Sequence, residues 1–316
     1  MKVLVTGGCG FIGSALVLRL VEEGHQVVNL DKLTYAGVRA SLVHLEGRPN
    51  YRFVHGDVAC REDLERALGQ GVDRVFHLAA ESHVDRSIAG SEPFLRTNVL
   101  GTGLLLEACR GRVGRIVHVG TDEVYGSVPE GRSREDAPLA PGNPYAASNA
   151  GGDLLALSYV NTHGLDVVVT RCSNNFGPRQ LPEKLIPLAI TRVLEDRPVP
   201  LYGDGLQVRD WIHVEDHVDA LLFVAEHGGA GELFHVGCEN TRSNRQVLEE
   251  LFQHLGRGRF ERVEDRLGHD RRYALDAGKL RALGWSRPAR DLASTVRWYL
   301  DNEAWWRPLL EQAALG

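Results

Sequence analysis

Short apolar runs alternate with amphipathic segments along the first half of the chain. The runs lie at residues 3–5, 26–30, 51–54, 74–78, 115–119 and 167–170. Helical patterns at 14–23, 62–68, 93–110 and 145–162 separate most of them. Strands that alternate with helices pack as a parallel sheet with right-handed crossovers. The pattern therefore predicts an α/β fold, a doubly wound parallel sheet.

The pattern changes after about residue 175, where Gly and Pro become frequent and the apolar segments become shorter. Such residues mark turns and loops. We expect a sheet domain over residues 1–175 and a smaller α/β region over 176–316 that caps the sheet and binds a substrate. No low-complexity linker separates the two, so we expect some later segments to cross back.

Composition excludes several classes of function. Among 316 residues, 43% are hydrophobic and 25% are charged, and the net charge of −6 disfavours nucleic acid and acidic membrane surfaces. No apolar run of about 18 residues predicts a membrane span. The chain starts on a strand-like run, so no signal peptide is expected. Five widely spaced cysteines without a metal pattern predict reduced thiols, a cytoplasmic location and no metal.

A glycine-rich turn, TGGCGFIG at residues 6–13, follows the first run and opens a helix. The spacing of Gly7, Gly10 and Gly13 lets a backbone approach a pyrophosphate at the helix N-terminus. Asp31 follows Gly13 by 18 residues and ends the second run. A carboxylate there accepts hydrogen bonds from an adenine ribose and repels a 2′-phosphate. Although the turn alone fits any strand-to-helix connection, the combination predicts a Rossmann-type domain that binds NAD.

Asp57 follows the third run and leaves two interpretations open. Its carboxylate can accept a hydrogen bond from the adenine amine. It can equally cap the helix that begins near Arg61.

Two adjacent carboxylates follow a fifth run, in the sequence GTDEVYG at residues 120–126. This places Thr121, Asp122 and Glu123 at the end of a strand, where parallel sheets bind ligands. Two carboxyl groups serve as acid and base when their environments differ. A bare Asp-Glu pair is more often a solvated turn.

Tyr145 begins a helix after Pro144, and the residue four positions on is Asn149. Residues four apart share a helix face. A Tyr with a Lys at that spacing is a familiar redox pair, because the Lys lowers the Tyr pKa and holds the nicotinamide ribose. Here the Lys is absent.

The chain resembles the extended short-chain dehydrogenases/reductases, and more closely the nucleotide-sugar 4,6-dehydratases of the dTDP-glucose 4,6-dehydratase family. The similarity runs nearly end to end. It is carried by TGGCGFIG at 6–13, HLAAESHVDRSI at 77–88, GTDEVYG at 120–126, PYAAS at 144–148, RCSNNFGPRQLPEKLIPL at 171–188, YGDGLQVRDWIHVEDH at 202–217 and GHDRRYALD at 268–276. The TDE triplet distinguishes the 4,6-dehydratases from their relatives, since sugar epimerases usually lack both carboxylates and related decarboxylases usually keep only the Glu.

The resemblance implies a role for each catalytic residue. Tyr145 would take the sugar C4 hydroxyl proton while C4 passes a hydride to NAD. Glu123 would remove the C5 proton, and a protonated Asp122 would donate to the departing C6 hydroxyl. The hydride returns to C6, so NAD stays bound. Thr121 would hydrogen-bond near the C4 oxygen. Because an ordinary Asp is ionised at neutral pH, we expect burial or repulsion from Glu123 to raise the pKa of Asp122.

The resemblance also implies two sets of binding residues. The NAD set is Gly7, Gly10, Phe11, Ile12, Gly13, Asp31, Lys32, Thr34, Asp57, Val58, Leu78, Ala79, Ala80, Ser82, Thr97, Tyr145, Asn149, Cys172 and Asn175. The sugar-nucleotide set is Ser82, His83, Thr121, Asn174, Lys184, Leu185, Tyr202, Arg209, Asn240, His269 and Arg271. Lys184 and Arg209 are suited to neutralising a diphosphate.

Asn149, at the position of the family Lys, is the main departure from the family pattern. It is consistent with an engineered change that traps substrate, a natural variant with slow or altered chemistry, or a non-catalytic protein that binds NAD and sugar nucleotide. An epimerase or decarboxylase of the same superfamily is a further alternative. Small and apolar residues on helices 93–110 and 145–162 match the four-helix contact of family dimers, so the resemblance implies a homodimer.

Overall fold

β-branched runs and amphipathic segments form alternating strands and helices in the first part of the computed structural model. The structure describes residues 1–69, 71–265, 270–286 and 290–315, the last four by their backbone. The elements up to the sixth strand are β1 (Lys2–Thr6), α1 (Phe11–Glu22), β2 (Gln26–Asp31), β3 (Tyr51–His55), α2 (Arg61–Leu68), β4 (Arg74–His77), α3 (Val84–Ala89), α4 (Glu92–Phe94), α5 (Thr102–Cys109), β5 (Arg115–Thr121), α6 (Pro144–His163) and β6 (Val167–Cys172).

Shorter strands and helices follow in the second part of the chain. They are β7 (Asn174–Phe176), α7 (Leu185–Leu194), β8 (Val199–Tyr202), β9 (Val208–His213), α8 (Val214–His227), β10 (Leu233–Val236), β11 (Thr241–Ser243), α9 (Asn244–Leu255), β12 (Phe260–Val263), α10 (Gly278–Ala282), α11 (Leu292–Asp301) and α12 (Glu303–Leu315). Two 3₁₀-helices lie at Arg39–Leu45 and Asp122–Tyr125, and a π-helical segment lies at Leu95–Gly101.

The central sheet has seven strands in the order β10-β6-β5-β4-β1-β2-β3, and every adjacent pair is parallel. One apolar cluster joins the sheet to α1 and α8, and a second joins it to α2, α5 and α6. Helices on both faces bury the inner strands, which explains their continuous apolar runs, while the edge strand β3 stays partly exposed. The predicted fold class, a doubly wound parallel α/β sheet, is confirmed.

The second part of the chain contributes to the central sheet and also forms a core of its own. β10 pairs with β6 at one edge of the central sheet. A three-stranded sheet, β11-β9-β7, and the pair β12-β8 build the remaining region around a third apolar cluster. The division of the chain at residue 175 remains a prediction.

Two helices differ from their predicted extents. α1 begins at Phe11, inside the glycine-rich turn, three residues before the predicted start at 14. The helix predicted at 93–110 is split, because residues Leu95–Gly101 form a π-helical turn between α4 and α5. Such wide turns are frequent at functional sites. In the described part of the chain, no helix combines the length and apolarity needed to cross a membrane.

Local sequence fixes the helix that carries Tyr145. Asn143 caps α6 by accepting the Ala146 N–H over 2.8 Å, and Pro144 occupies the first turn. Gly164 ends the helix in the left-handed region, with φ +63°. Tyr145 therefore lies in the first helical turn, at the carboxyl edge of the sheet.

Candidate active site

A cleft of about 300 Å³ lies at the carboxyl edge of the central sheet. Every residue that the sequence analysis assigned to NAD lines it: Gly7, Gly10, Phe11, Ile12, Gly13, Asp31, Lys32, Thr34, Asp57, Val58, Leu78, Ala79, Ala80, Ser82, Thr97, Tyr145, Asn149, Cys172 and Asn175. Their common location is an observation, while their individual contacts with a cofactor remain predictions.

The glycine-rich turn leaves its backbone open to this cleft. Gly7 has φ +71°, and a Cβ there would lie 2.8 Å from the backbone of Ala79. A Cβ on Gly13 would lie 2.1 Å from the Gly7 carbonyl oxygen. Neither contact is tolerable, so the turn requires glycine at both positions. The result is a cradle at the N-terminus of α1 that fits a dinucleotide pyrophosphate.

Asp31 closes the other end of this cradle. One of its carboxylate oxygens accepts the Cys9 N–H over 2.8 Å and the other accepts the Leu33 N–H over 2.7 Å. Burial raises the pKa of Asp31, and the two backbone donors act in the opposite direction. Each oxygen keeps a further lone pair for a ribose hydroxyl. This donor and acceptor arrangement fits NAD.

Asp57 does not cap α2, so that interpretation is wrong. Cys60 holds the cap position of the helix. Asp57 instead accepts the Ala59 N–H over 2.8 Å and pairs with Lys32 at 2.8 Å. Burial raises the pKa of Asp57, but Lys32 and the Ala59 N–H outweigh it and bring the pKa below its ordinary value. An adenine contact remains a prediction.

The two candidate acid–base groups follow β5 directly. Thr121 ends the strand, and its hydroxyl accepts the Glu123 N–H over 3.3 Å. The same hydroxyl donates to the Asp122 carboxylate over 3.4 Å. This pairing turns the chain into the short helix Asp122–Tyr125 and directs both carboxyl groups towards the cleft. The pair is therefore not a solvated surface turn.

Electrostatics separates the two carboxyl groups. Burial, and then repulsion from Glu123, raises the pKa of Asp122 well above its ordinary value, although Arg209 acts against this shift. Burial also raises the pKa of Glu123, where Arg209 and a hydrogen bond with Asn143 oppose it. The environment predicted for Asp122 is confirmed. Because the charge of Glu123 is one cause of the raised pKa of Asp122, an ionised Glu123 favours a proton on Asp122.

Tyr145 faces the same carboxyl groups without a cation of its own. Burial, and then the charge of Glu123, raises the pKa of Tyr145 well above its ordinary value, while a hydrogen bond with Thr121 acts in the opposite direction. Asn149 lies one turn further along α6, and its amide donates to the Tyr145 carbonyl oxygen over 2.9 Å. The buried amide of Asn149 therefore supplies no charge to the phenol.

Four of the predicted sugar-nucleotide residues line the cleft: Ser82, Thr121, Asn174 and Lys184. Arg209 is 7% exposed on β9 and donates to the carbonyl oxygens of Val208 and Asp270, each over 2.8 Å. It acts on both catalytic carboxyl groups through its charge. Lys184 lines the cleft 3.5 Å from Glu183, so a lysine and, through its charge, Arg209 act on this end of the cleft.

The other predicted sugar-nucleotide residues lie around the cleft or away from it. His83 is 4.0 Å from Glu183, and Leu185 begins α7 next to Lys184. Tyr202 ends β8, and Asn240 lines a separate cavity of about 120 Å³. Arg271 is exposed and bound through both terminal nitrogens to Asp204, each over 2.8 Å. His269 lies outside the described residues. For this group the sequence-based roles remain predictions.

Several cleft residues were missed by the sequence analysis. They are Leu30, Tyr35, Ala36, Gly37, Gly56, Glu81, Val119, Gly120, Ser173, Leu181 and Glu183. Most of them sit next to predicted residues at the ends of strands. Tyr35 and Glu81 belong to the loops after β2 and β4. The only sequence signal for them was that loops at the carboxyl ends of parallel strands line ligand sites.

Comparison with known proteins agrees with this geometry. A sequence model of the NAD dependent epimerase/dehydratase family matches residues 3–237. The chain is 50% identical over 322 residues to a dTDP-glucose 4,6-dehydratase of Streptomyces niveus, covering 98% of this chain and 96% of that protein. It is 46% identical over 340 residues to the protein of that name from Neisseria meningitidis, covering 98% of this chain and 96% of the relative.

Solved structures give the same result. DesIV, a dTDP-glucose 4,6-dehydratase of Streptomyces venezuelae crystallised with NAD, superimposes with a TM-score of 0.94 at 50% identity over 98% of this chain and all of the other. A UDP-glucose 4-epimerase of Thermus thermophilus, also with NAD, gives 0.88 at 32% identity over 96% of this chain and all of the other. The chain therefore belongs to the NAD dependent epimerase/dehydratase family, in the branch of the dTDP-glucose 4,6-dehydratases.

Proposed function

We propose that this chain converts dTDP-glucose to its 4-keto-6-deoxy product with release of one water and with NAD as a bound cofactor. The observation that carries this proposal is the convergence of three groups on one cleft. Asp122 and Glu123 face the cleft from the end of β5, and Tyr145 faces it from α6. Elimination of water needs one protonated and one ionised carboxyl group, and the repulsion between Asp122 and Glu123 favours that combination.

The residues divide the reaction between them. Bound NAD would supply the acceptor for a hydride from C4 and return that hydride to C6. Tyr145 receives the proton of the C4 hydroxyl, and Thr121 holds the phenol through a hydrogen bond. Glu123, ionised, removes the proton from C5 and returns a proton to C5 when the hydride reaches C6. Asp122, kept protonated by burial and by Glu123, delivers a proton to the leaving C6 oxygen.

An epimerase shares the fold, so the fold alone does not select the reaction. The Asp122-Glu123 pair favours dehydration, because epimerisation at C4 involves no proton removal at C5 and no departing hydroxyl at C6. The names of the relatives support dTDP-glucose as the substrate. Lys184 and Arg209 supply the positive charge that a nucleoside diphosphate requires.

Asn149 favours a second candidate function, the binding of NAD and a sugar nucleotide without conversion. Its amide bonds to the helix backbone, so the phenol lacks the usual neighbouring cation. The retention of Asp122, Glu123 and Tyr145 in one cleft supports the dehydratase over this alternative.

The proposal includes a homodimer in the cytoplasm. Leu95 and Leu100 on the π-helical turn and Leu154 on α6 are each at least half exposed, on neighbouring helices. A second copy of the chain would bury them, as the resemblance to the family implies. All five cysteines are free, which supports a reducing compartment.

Mass spectrometry of the sugar nucleotide, after incubation of the purified protein with dTDP-glucose, tests the proposed function. Loss of one water supports the dehydratase. A product of unchanged mass whose proton NMR spectrum shows an inverted C4 would establish an epimerase. If neither the unaltered chain nor an Asn149→Lys variant changes dTDP-glucose, the result would support the binding function.

A further inference from the structure

Two loops meet across the glycine-rich turn. β2 and β4 are the two neighbours of β1 in the sheet, so the loops that follow them flank the turn that follows β1. Tyr35 belongs to the loop after β2, and Arg86 lies in α3 after β4. The Arg86 guanidinium carbon is 3.8 Å from the centroid of the Tyr35 ring. The contact therefore joins the two sides of the cradle.

The base of each loop is fixed to the rest of the fold. On the β2 side, the Val38 N–H donates to the Cys9 carbonyl oxygen over 2.8 Å, which ties the loop to the glycine-rich turn itself. On the β4 side, the Asn98 amide accepts the Glu81 N–H over 2.9 Å and donates to the Glu81 carbonyl oxygen over 3.1 Å. The hydrogen bonds fix the bases of the two loops. The Tyr35–Arg86 contact links the loops further from these bases.

Tyr35 lies in the wall of the cleft, whereas Arg86 lies outside it. Tyr35 lines it, and its ring is also packed edge-on by His83 at 6.3 Å between centroids. Arg86 is exposed and is absent from the cleft lining, so it covers the ring from the solvent side. A guanidinium over an aromatic face is an attractive contact that an exposed site retains. Arg86 therefore contacts the Tyr35 ring from outside the cleft lining.

We propose that Tyr35 and Arg86 form a clasp over the pyrophosphate cradle and keep bound NAD in the cleft between turnovers. The inference rests on the proposed function, in which one NAD gives back the hydride that it received and has no reason to leave. Because the clasp connects two loops of the chain to each other, its opening precedes the departure of the cofactor, and its loss speeds that departure.

The test measures the dissociation of NADH, loaded in place of NAD, by the decay of its fluorescence during a chase with excess NAD. No sugar is present, so the rate does not depend on dehydration. Arg86→Gln should raise the dissociation rate about threefold or more, and Arg86→Lys, which keeps the cation, should raise it less. Arg245→Gln is the matched control, since the Arg245 guanidinium lies over Phe260 at 5.7 Å, outside the cleft.

A second background separates a clasp from a general loss of structure. In a Tyr35→Leu chain the partner ring is gone, so adding Arg86→Gln should leave the rate within about 1.5-fold, because contacting residues act non-additively. An equal effect of Arg86→Gln in both backgrounds would overturn the clasp. A rate for Arg86→Gln equal to that of the Arg245→Gln control would overturn it as well. A chain that passes these measurements but dehydrates no sugar would refute the proposed function alone.

Discussion

The amide nitrogen of Asn149 donates to the main-chain carbonyl oxygen of Tyr145 over 2.9 Å. A Lys at this position would instead carry a charge towards the cleft that both residues line. The phenol therefore keeps its proton more tightly than in a Tyr-Lys pair, because burial and the charge of Glu123 both raise its pKa. The site therefore has a Tyr that can accept the C4 hydroxyl proton, but position 149 provides no cation to lower the pKa of its phenol.

We predict that Asn149→Lys raises kcat. A cation about 4 Å from the phenol at an effective dielectric of 20 is worth up to about 4 kcal/mol, or about three pKa units. Solvent and rearrangement reduce this value, so we expect a gain of about tenfold or more in the steady-state rate of product formation. Asn149→Gln is the control, since it changes the side chain without adding charge and should give no gain. Equal rates for the Lys and Asn chains would show that the cation is dispensable here.

The same substitution should move the pH profile. A phenol accepts a proton only after losing its own, and a raised pKa makes that form scarce at neutral pH. The rate of the unaltered chain should therefore climb with pH through the neutral range. With Asn149→Lys the climb should begin at lower pH, because the cation favours the phenolate. Parallel profiles of kcat against pH for the two chains would contradict this assignment of Tyr145.

Asp122→Asn should block elimination while leaving oxidation at C4 possible. An amide cannot deliver the proton that burial and Glu123 keep on Asp122. Loss of a positioned acid lowers rates by about 10² to 10⁴, so we expect kcat to fall by that factor and reduced nicotinamide to accumulate in the near-ultraviolet spectrum. Asp136→Asn, at an 80% exposed carboxylate, is the control. A variant that keeps a third of its rate would remove Asp122 from the mechanism.

Gly13→Ala should empty the cofactor site. The new Cβ would lie 2.1 Å from the Gly7 carbonyl oxygen, so the turn must shift. Overpacking of this kind is worth about 1–3 kcal/mol, which predicts that NAD affinity falls about tenfold or more and that the purified protein carries less nucleotide. Gly103→Ala is a fair comparison, because the nearest atom there is 3.9 Å away. Equal nucleotide content in the two variants would contradict the assigned role of the turn.

Leu154→Glu should separate a dimer into monomers. Leu154 is 57% exposed on α6, and burial of one Leu contributes about 1.5–3 kcal/mol. In a symmetric interface between two copies the substitution would occur twice, so we expect the dissociation constant to rise about 100-fold or more. Leu206→Glu tests a residue of similar exposure, 48%, outside these helices. Light scattering that shows the same mass for Leu154→Glu and the unaltered chain would exclude this face as the interface.

The sequence predicted those site features that are formed by residues close together in the chain. The turn at Gly7, Gly10 and Gly13 and the carboxylates after β5 are strand-end features, and an alternating pattern locates strand ends well. The expected rise in the pKa of Asp122 is also found, but its larger cause is burial, which depends on packing, and only the repulsion from Glu123 follows from their adjacency in the sequence.

Features that depend on distant contacts were not predictable. The charge of Arg209 acts on the two carboxyl groups because the fold brings β9, from the second part of the chain, close to them. The role of Asp57 was set by Lys32, which comes from another loop. The π-helical turn interrupts a segment whose apolar pattern reads as one helix. Hydrophobic periodicity records which face is buried and carries no information on such partners.

The central claim is that one bound NAD takes a hydride from C4 and returns it to C6 of the same sugar while Asp122 and Glu123 remove water. It is tested most directly with dTDP-glucose that carries deuterium at C4 and carbon-13 throughout the glucose, converted in the presence of excess unlabelled dTDP-glucose. The account predicts a product lighter by one water that keeps the deuterium at C6, with no label in the product from unlabelled sugar. Deuterium lost to solvent or free nucleotide, or a sugar that keeps its water, would contradict the account.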